Sequence, residues 1–396
     1  MERNAFDSVG IIADDLTSAT DGSAPFLARG YAPLILRELN RPGPGRGSGA
    51  VVAVDTHSRA LSPSAAVAKT ASAVGALADR QILFKTIDST LRGHVRGEIA
   101  AAFSASGRKR LVVAPAFPGA GRVTIGGMQW VNGVLVSESD YSRDPVHPAQ
   151  TSCIADLIDP MLGKPVVIAQ GDLEEAAPHV TDASIMILDA DSQAALNAQV
   201  ALISDSEDVL WVGSPGLAIA LASIVKAAPN ERPENGGSAG RVLIVIGSAN
   251  PVSHAQGRVL LRAGAAIVTD LADAPGESSV ICLHAPLQRR EDAADVLQGI
   301  TEQAAAALTG LDHGVLIATG GETAAAILDR VGIFGFTLVS ELEPGFPVGR
   351  ATRVDGTPLT IALKAGGFGS PETLVRAVAA LSHNPGAPGG VVNARQ

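Results

Sequence analysis

Short continuous apolar runs alternate along the first half of this chain with alanine-rich stretches of helical spacing. The runs Val9–Ala13, Ala50–Val54, Ile82–Lys85, Leu111–Ala114, Pro165–Ala169, Ala183–Asp189 and Val209–Val212 read as strands. Ala65–Ala78, Val95–Ser104, Ala149–Met161 and Gly216–Ala227 read as helices. Unbroken apolar strands with helices between them indicate a mostly parallel sheet covered on both faces. Within Gly126–Glu138, Asn132-Gly133 sits between apolar or β-branched flanks and predicts a hairpin with a type I′ turn. The polar, Gly- and Pro-bearing segment Ala228–Gly240 reads as a linker. After it the pattern recurs, with strands at Arg241–Ile246, Ala266–Thr269, Ser279–Leu283, Gly314–Thr319, Thr337–Ser340 and Leu359–Lys364. Helices are expected at His254–Ala263, Asp292–Ala307, Thr323–Asp329 and Pro371–Leu381. The expected fold is therefore α/β, with two domains of mostly parallel sheet and a cleft between them. The larger N-terminal domain covers residues 1–228 and the smaller C-terminal one residues 240–385. The Arg41–Gly49 stretch reads as a mobile loop and the tail from Asn384 as loose.

Composition narrows the function classes. A net charge of −10 argues against a nucleic-acid binder, and 3% aromatics argue against stacking platforms. With 46% apolar and 18% charged residues the chain is not expected to be disordered. Its 43 glycines and 24 prolines exceed average usage and suggest many tight loops. Cys153 and Cys282 are too few for a disulfide framework, and no Cys/His group has zinc spacing. The N-terminus lacks a long apolar leader, and no uncharged apolar stretch reaches about 18 residues, so neither a signal peptide nor a membrane span is expected. A cytoplasmic protein fits these features.

In open α/β sheets ligands bind at the carboxyl ends of strands, so the strand-end turns carry the chemistry. The first is Asp14-Asp15-Leu16-Thr17-Ser18, whose carboxylates suit a general base, a metal or a polyol, although Asp15 or Thr17 as a helix cap also explains it. After the next strand, Arg59 either forks onto an anionic substrate or pairs with Asp55, while His57 reads as structural. Lys85-Thr86-Ile87-Asp88-Ser89-Thr90-Leu91-Arg92 follows a buried strand and crowds cations, a carboxylate and hydroxyls together. Helix capping alone does not require that set, so an anionic, hydroxyl-rich substrate is the favoured reading. Arg122, in the rigid Pro115–Arg122 turn, is open to either a structural or a functional part. In the second half, Gly247-Ser248-Ala249-Asn250, Thr319-Gly320-Gly321-Glu322 and Lys364-Ala365-Gly366-Gly367-Phe368-Gly369 each follow a strand. Glycine lets backbone N–H groups approach phosphates, and three such turns in one small domain favour a nucleotide site. The stiff Glu343-Pro344-Gly345-Phe346-Pro347 loop is placed to border an adenine. A Walker A motif, a dinucleotide fingerprint after a strand and a nucleophile elbow are missing from the sequence.

Taken together and in order, ADDLTSATD (Ala13–Asp21), KTIDSTLRG (Lys85–Gly93), PAFPGAGR (Pro115–Arg122), VNGV (Val131–Val134), DPVHP (Asp144–Pro148), GSANPV (Gly247–Val252), TGGET (Thr319–Thr323), ELEPGFP (Glu341–Pro347) and LKAGGFG (Leu363–Gly369) resemble the four-carbon acid sugar kinase family. The resemblance spans almost the whole chain. It implies an acid-sugar-binding domain over 1–228, an ATP-binding domain over 240–385, and phosphorylation of threonate, erythronate or 3-oxo-tetronate at the terminal hydroxyl. Asp14, Arg59, Lys85, Thr86, Ile87 and Asp88, joined by Arg92, would meet the substrate. Ser248, Glu343, Pro344, Gly345, Phe346, Gly366 and Gly367 would meet ATP. Ser18 stands where glycine is usual, His57 where aspartate is common, GSAN where GSCS is usual, and Ala365-Gly366-Gly367 in place of S-x-N.

Phosphoryl transfer needs positioning and charge stabilisation more than covalent chemistry. On this reading Arg59, Lys85 or Arg92 holds the substrate carboxylate and Asp88 or Asp14 accepts the hydroxyl proton. ATP and Mg²⁺ are the expected cofactors; the metal ligands are left open. No nucleic acid or membrane is expected as partner, and a homo-oligomer is left open. A non-catalytic two-domain sensor for a nucleotide or sugar acid is the alternative, and a nicotinamide-dependent dehydrogenase is disfavoured by the missing fingerprint.

Overall fold

The central apolar runs become fully buried strands, while the edge strands at Val166–Ile168 and Ala266–Val268 stay partly exposed. A computed structural model describes residues 6–39, 50–144, 147–171, 184–203, 208–228, 240–247, 250–285, 293–310 and 313–382. The expected loop at Arg41–Gly49, nearly all of the expected linker and the tail from Asn384 lie outside the described residues. The chain divides into two units, one made of Met1–Pro233 with Phe334–Ser340, the other of Glu234–Ile333 with Glu341–Gln396.

The first unit carries β1 (Val9–Ala13), β2 (Leu34–Leu36), β3 (Val51–Asp55), β4 (Ile82–Thr86), β5 (Arg110–Ala114), β9 (Val166–Ile168), β10 (Ile185–Leu188) and β11 (Val209–Gly213) in one sheet. The order is β2-β3-β1-β4-β11-β5-β10-β9, parallel throughout. The helices α1 (Leu16–Ser23), α2 (Pro63–Leu77), α3 (Val95–Ser106), α4 (Gln193–Ile203) and α5 (Pro215–Ile224) bury their apolar stripes against it. A separate antiparallel meander, β6 (Arg122–Ile125), β7 (Met128–Val131) and β8 (Val134–Leu135), contains the expected hairpin. Asn132 and Gly133 both have positive φ, 49° and 83°, as a type I′ turn requires.

The second unit has β12 (Arg241–Ile246), β13 (Ala266–Val268), β14 (Val280–His284), β15 (His313–Thr319), β17 (Pro347–Thr352) and β18 (Pro358–Lys364) in the order β13-β14-β12-β15-β18-β17. All pairs are parallel except β17–β18. Its helices are α6 (Pro251–Arg262), α7 (Ala293–Gly310), α8 (Gly321–Arg330) and α9 (Thr373–Leu381).

Two expectations are corrected. The strand placed at Thr337–Ser340 runs over Gly335–Glu341 as β16, and it pairs antiparallel with β2. It therefore adds a strand beside β2 to the first unit's sheet although it follows the linker in sequence. Backbone bonds from Arg37 N to Phe334 O and from Leu338 N to Pro33 O, both 2.8 Å, extend the pairing. The helix expected at Ala149–Met161 is instead a pair of 3₁₀ turns, Ile154–Leu157 and Pro160–Leu162. Pro160 cannot sit inside a helix, and short polar side chains claim the backbone: Thr151 Oγ1 accepts from Cys153 N at 3.0 Å and Asp159 Oδ1 from Met161 N at 2.9 Å.

Candidate active site

β3, β1 and β4 are neighbours, so the turns at their carboxyl ends meet. Asp14 and Asp15 follow β1, Arg59 follows β3, and Asp88 and Arg92 follow β4. Arg59 grips Asp14 with both arms of its fork, Nε to Oδ2 at 2.7 Å and Nη2 to Oδ1 at 3.0 Å. Its Nη1 lies against Asp15, and Nη2 also donates to Ser18 Oγ at 3.3 Å. Arg59 thus pairs with Asp14 and Asp15; Asp55 is served by Arg37 at 3.8 Å instead. Asp15 does cap α1, accepting from Ser18 N at 2.6 Å, so the capping and cluster readings of this turn both hold. Burial alone would push the Asp14 carboxyl up, but the Arg59 and Lys85 charges and bonds from Arg59 and Ser18 outweigh it and hold it below the usual range. Burial opposes the Arg59 charge; Asp14, Asp15 and Asp88 together hold its pKa well above the ordinary value.

Asp88 closes a tight turn. It accepts from Thr90 N at 3.1 Å and Thr90 Oγ1 at 2.9 Å, and it pairs with Arg92. Leu91 and Gly93 adopt positive φ, 60° and 99°, and Gly93 leaves room beside Asp14, whose Oδ2 would lie 3.4 Å from a Cβ there. Arg92 also reaches Asp144 at 3.1 Å and lies over the Tyr141 ring, 5.2 Å from its centroid. Arg122 donates to Tyr141 Oη at 3.0 Å, so it supports this wall of the cluster.

Lys85, Thr86 and Ile87 turn their side chains inward. The Lys85 side chain is wholly buried, with its ammonium 2.9 Å from Glu98 Oε2 and 2.6 Å from Thr86 O. A direct grip on a substrate carboxylate is therefore replaced by an internal ion pair, because a buried ammonium needs a counter-charge. Thr86 Oγ1 donates to Ile12 O at 3.4 Å, and the Ile87 side chain joins the core. Glu98, which the sequence pattern did not single out, anchors this layer from α3: its Oε1 accepts from Ser58 Oγ at 2.5 Å, and Ser58 accepts from Thr56 Oγ1 at 2.8 Å. Through Ser58 it fixes the 3₁₀ turn that carries Arg59. His57 enters that turn with φ 50° and its N donates to Asp55 Oδ1 at 2.8 Å. Burial raises the Asp55 carboxyl to about 6 despite Arg37.

In the second unit the three glycine turns stand at the carboxyl ends of β12, β15 and β18, which are adjacent and parallel. Gly247 is required by contact: a Cβ there would lie 2.2 Å from Thr323 Oγ1. Gly320, at φ 93°, caps α8 and donates to Lys364 O at 2.8 Å. Ser253 Oγ donates to Gly366 O at 2.8 Å, and a Cβ on Gly367 would lie 3.2 Å from Asn250 Nδ2. Ser248 lies outside the described residues. In the Glu343–Phe346 loop, Glu343 is held by Thr373 at 2.7 Å and by Arg376; burial pushes its carboxyl up, but the Thr373 and Arg376 bonds and the Arg376 and Lys364 charges together outweigh it and hold it below the usual range. Gly345 turns at φ 77°, and its N donates to Glu341 Oε1 at 2.8 Å. Pro344 is exposed, whereas Phe346, 1% exposed, packs in the core. The loop therefore offers backbone and Pro344, and not the Phe346 ring, to a ligand. Among the described residues no group of three or more His, Cys, Asp and Glu side chains could hold a metal, and no helix is long and apolar enough to cross a membrane.

Comparison with known proteins agrees with this division of chemistry. Residues 9–221 match the family model described as a sugar-binding N-terminal domain, and residues 272–374 match a nucleotide-binding C-terminal domain. A D-threonate kinase of Cupriavidus necator is 34% identical, covering 94% of this chain and 98% of its own. A 3-oxo-tetronate kinase of Brucella melitensis is 27% identical, covering 91% and 93%. A crystal structure from Salmonella typhimurium LT2 superposes with a TM-score of 0.80 at 21% identity, over 94% of this chain and 99% of that one, which speaks to the fold alone. Coverage of nearly the whole chain by such relatives, on top of both domain matches, places it: the chain belongs to the four-carbon acid sugar kinase family.

Proposed function

We propose that the protein phosphorylates the terminal hydroxyl of a four-carbon sugar acid such as D-threonate, erythronate or 3-oxo-tetronate, using MgATP. The observation that carries this reading is the Asp14–Arg59–Asp88–Arg92 cluster: carboxylates and guanidinium forks set side by side suit a substrate bearing both hydroxyls and a carboxylate. The kinase names of relatives at 27–34% identity support the same class. Arg59 and Arg92 offer N–H groups to the substrate carboxylate. Asp14, kept ionised by Arg59 and Lys85, accepts hydrogen bonds from substrate hydroxyls but is a weak proton acceptor. That leaves the proton of the attacking hydroxyl to Asp88.

The new bond joins the hydroxyl oxygen to the γ-phosphorus, the bond from that phosphorus to the ADP oxygen breaks, and the proton passes to Asp88 and then to water. Magnesium bound with ATP would supply charge neutralisation on the transferred phosphates. The glycine turns after β12, β15 and β18 offer backbone N–H groups and helix N-termini to the phosphates. The test is ADP release with MgATP against D- and L-threonate, D- and L-erythronate and 3-oxo-tetronate. Strong release with one acid supports the reading and names the substrate. Binding of ATP and an acid without release would favour a sensor.

A further inference from the structure

Lys364, at the end of β18, is a buried lysine, 3% exposed, with no carboxylate within ion-pair distance among the described residues. Glu343, the carboxylate whose field reaches it, is bound by Arg376 and Thr373. The ammonium is instead ringed by backbone carbonyls of its own turn: Ala365 O at 2.8 Å, Phe368 O at 2.9 Å and Gly366 O at 3.4 Å. Desolvation outweighs the Glu343 field and lowers its pKa to about 8. Two buried side chains of α6 brace the same turn. Ser253 Oγ holds Gly366 O at 2.8 Å, and Gln256 Nε2 holds Phe368 O and Ser370 O, each at 3.0 Å.

This arrangement dictates where the amides point. In a planar trans peptide the C=O of one residue and the N–H of the next point in opposite directions, and the described backbone has no cis bond. The three carbonyls gathered on Lys364 belong to peptides whose N–H groups are those of Gly366, Gly367 and Gly369. All three must therefore point away from the ammonium, and none donates to an acceptor among the described residues. All three residues are glycine, which lets a ligand approach the backbone, and Gly369 needs the freedom at φ 87°. Next to the turn, Thr319, paired with Lys364 across the ladder, has its hydroxyl buried without a partner among the described residues. Successive outward N–H groups with a fixed positive charge behind them make an anion-binding nest.

We infer that Lys364 is a positioning residue for the nucleotide's phosphates: it draws in the carbonyls of the Ala365–Phe368 turn so that the Gly366, Gly367 and Gly369 amides face outward as a phosphate nest. The inference rests on the nucleotide reading of the second unit. It is tested by titration calorimetry of the full chain with ADP and with adenosine, for wild type, Lys364→Met and Gln256→Ala. The expected result is ADP affinity lowered at least tenfold by Lys364→Met and about threefold by Gln256→Ala, with adenosine affinity unchanged. Loss of phosphate recognition alone is something general unfolding would not produce. Equal loss of ADP and adenosine binding, or ADP affinity within twofold of wild type in both variants, would overturn it. Should Lys364→Met fail to fold, Gln256→Ala decides by the same comparison. Wild type that binds neither ligand would overturn the nucleotide reading itself, a failure the wild-type titration separates from the others.

Discussion

The buried Lys85–Glu98 pair allows a quantitative test of how the site is held. Its atoms are 2.9 Å apart, with the two side chains 0% and 3% exposed, so neither charge has water to fall back on. Removing one partner from such a pair costs about 3–5 kcal/mol, because the other is left uncompensated. Glu98→Leu also strips Ser58 of its acceptor, adding about 1 kcal/mol. Lys85→Met should therefore cost about 3–5 kcal/mol and Glu98→Leu somewhat more. The double variant removes both charges and replaces them with apolar volume, so it should cost less than the sum of the singles by at least about 3 kcal/mol. Denaturant unfolding followed by circular dichroism measures all four corners. Turnover should still fall in the folded double variant, since Asp14 loses a neighbouring cation and the Arg59 turn loses its anchor. Singles costing under about 1 kcal/mol, or strict additivity, would refute the reasoning.

Other consequences are equally direct. Asp88→Asn keeps hydrogen-bonding capacity in its turn, so kcat should fall about 100-fold or more with the unfolding midpoint unchanged; unaltered turnover removes Asp88 from the proton-accepting role. Gly247→Ala places a Cβ 2.2 Å from Thr323 Oγ1, so ADP binding should weaken about tenfold, and adding Thr323→Ala should recover part of it in the same titration. For Asp55, burial lifts the folded-state pKa from 3.8 to about 6, so the folded protein holds the extra proton between those values. Its contribution to stability therefore falls as pH rises from about 4 to 6, by up to about 3 kcal/mol. Asp55→Asn should gain on wild type by that amount across the window, and a pH-independent difference between the two unfolding free energies would contradict this.

Local signals carried the reading of the parallel strands and of the Asn132-Gly133 turn, since unbroken apolar runs and turn chemistry act over a few residues. They could not place β16, because its partner β2 is a three-residue strand lying some 300 positions earlier, and pairing at that separation leaves no local trace. The 149–161 segment failed because helix spacing outvoted Pro160 and the Thr151 and Asp159 caps. At the site, strand-end logic brought Asp14, Arg59, Asp88 and Arg92 to one place. It could not say that Lys85 would be buried, since burial depends on the helix packed above. Glu98 left a usable trace: it interrupts the apolar stripe of Val95, Ile99 and Ala102 on α3, where a charge persists only with a partner. The part of Lys364 was legible only from carbonyl directions.

The central claim concerns where the phosphoryl group goes, and phosphorus NMR of the product reports it directly. With MgATP and the acid that gives the fastest ADP release, the account predicts a new phosphomonoester resonance split into a triplet by the two protons of a terminal carbon, in step with ADP. A doublet from a secondary carbon, or inorganic phosphate alone, would contradict it.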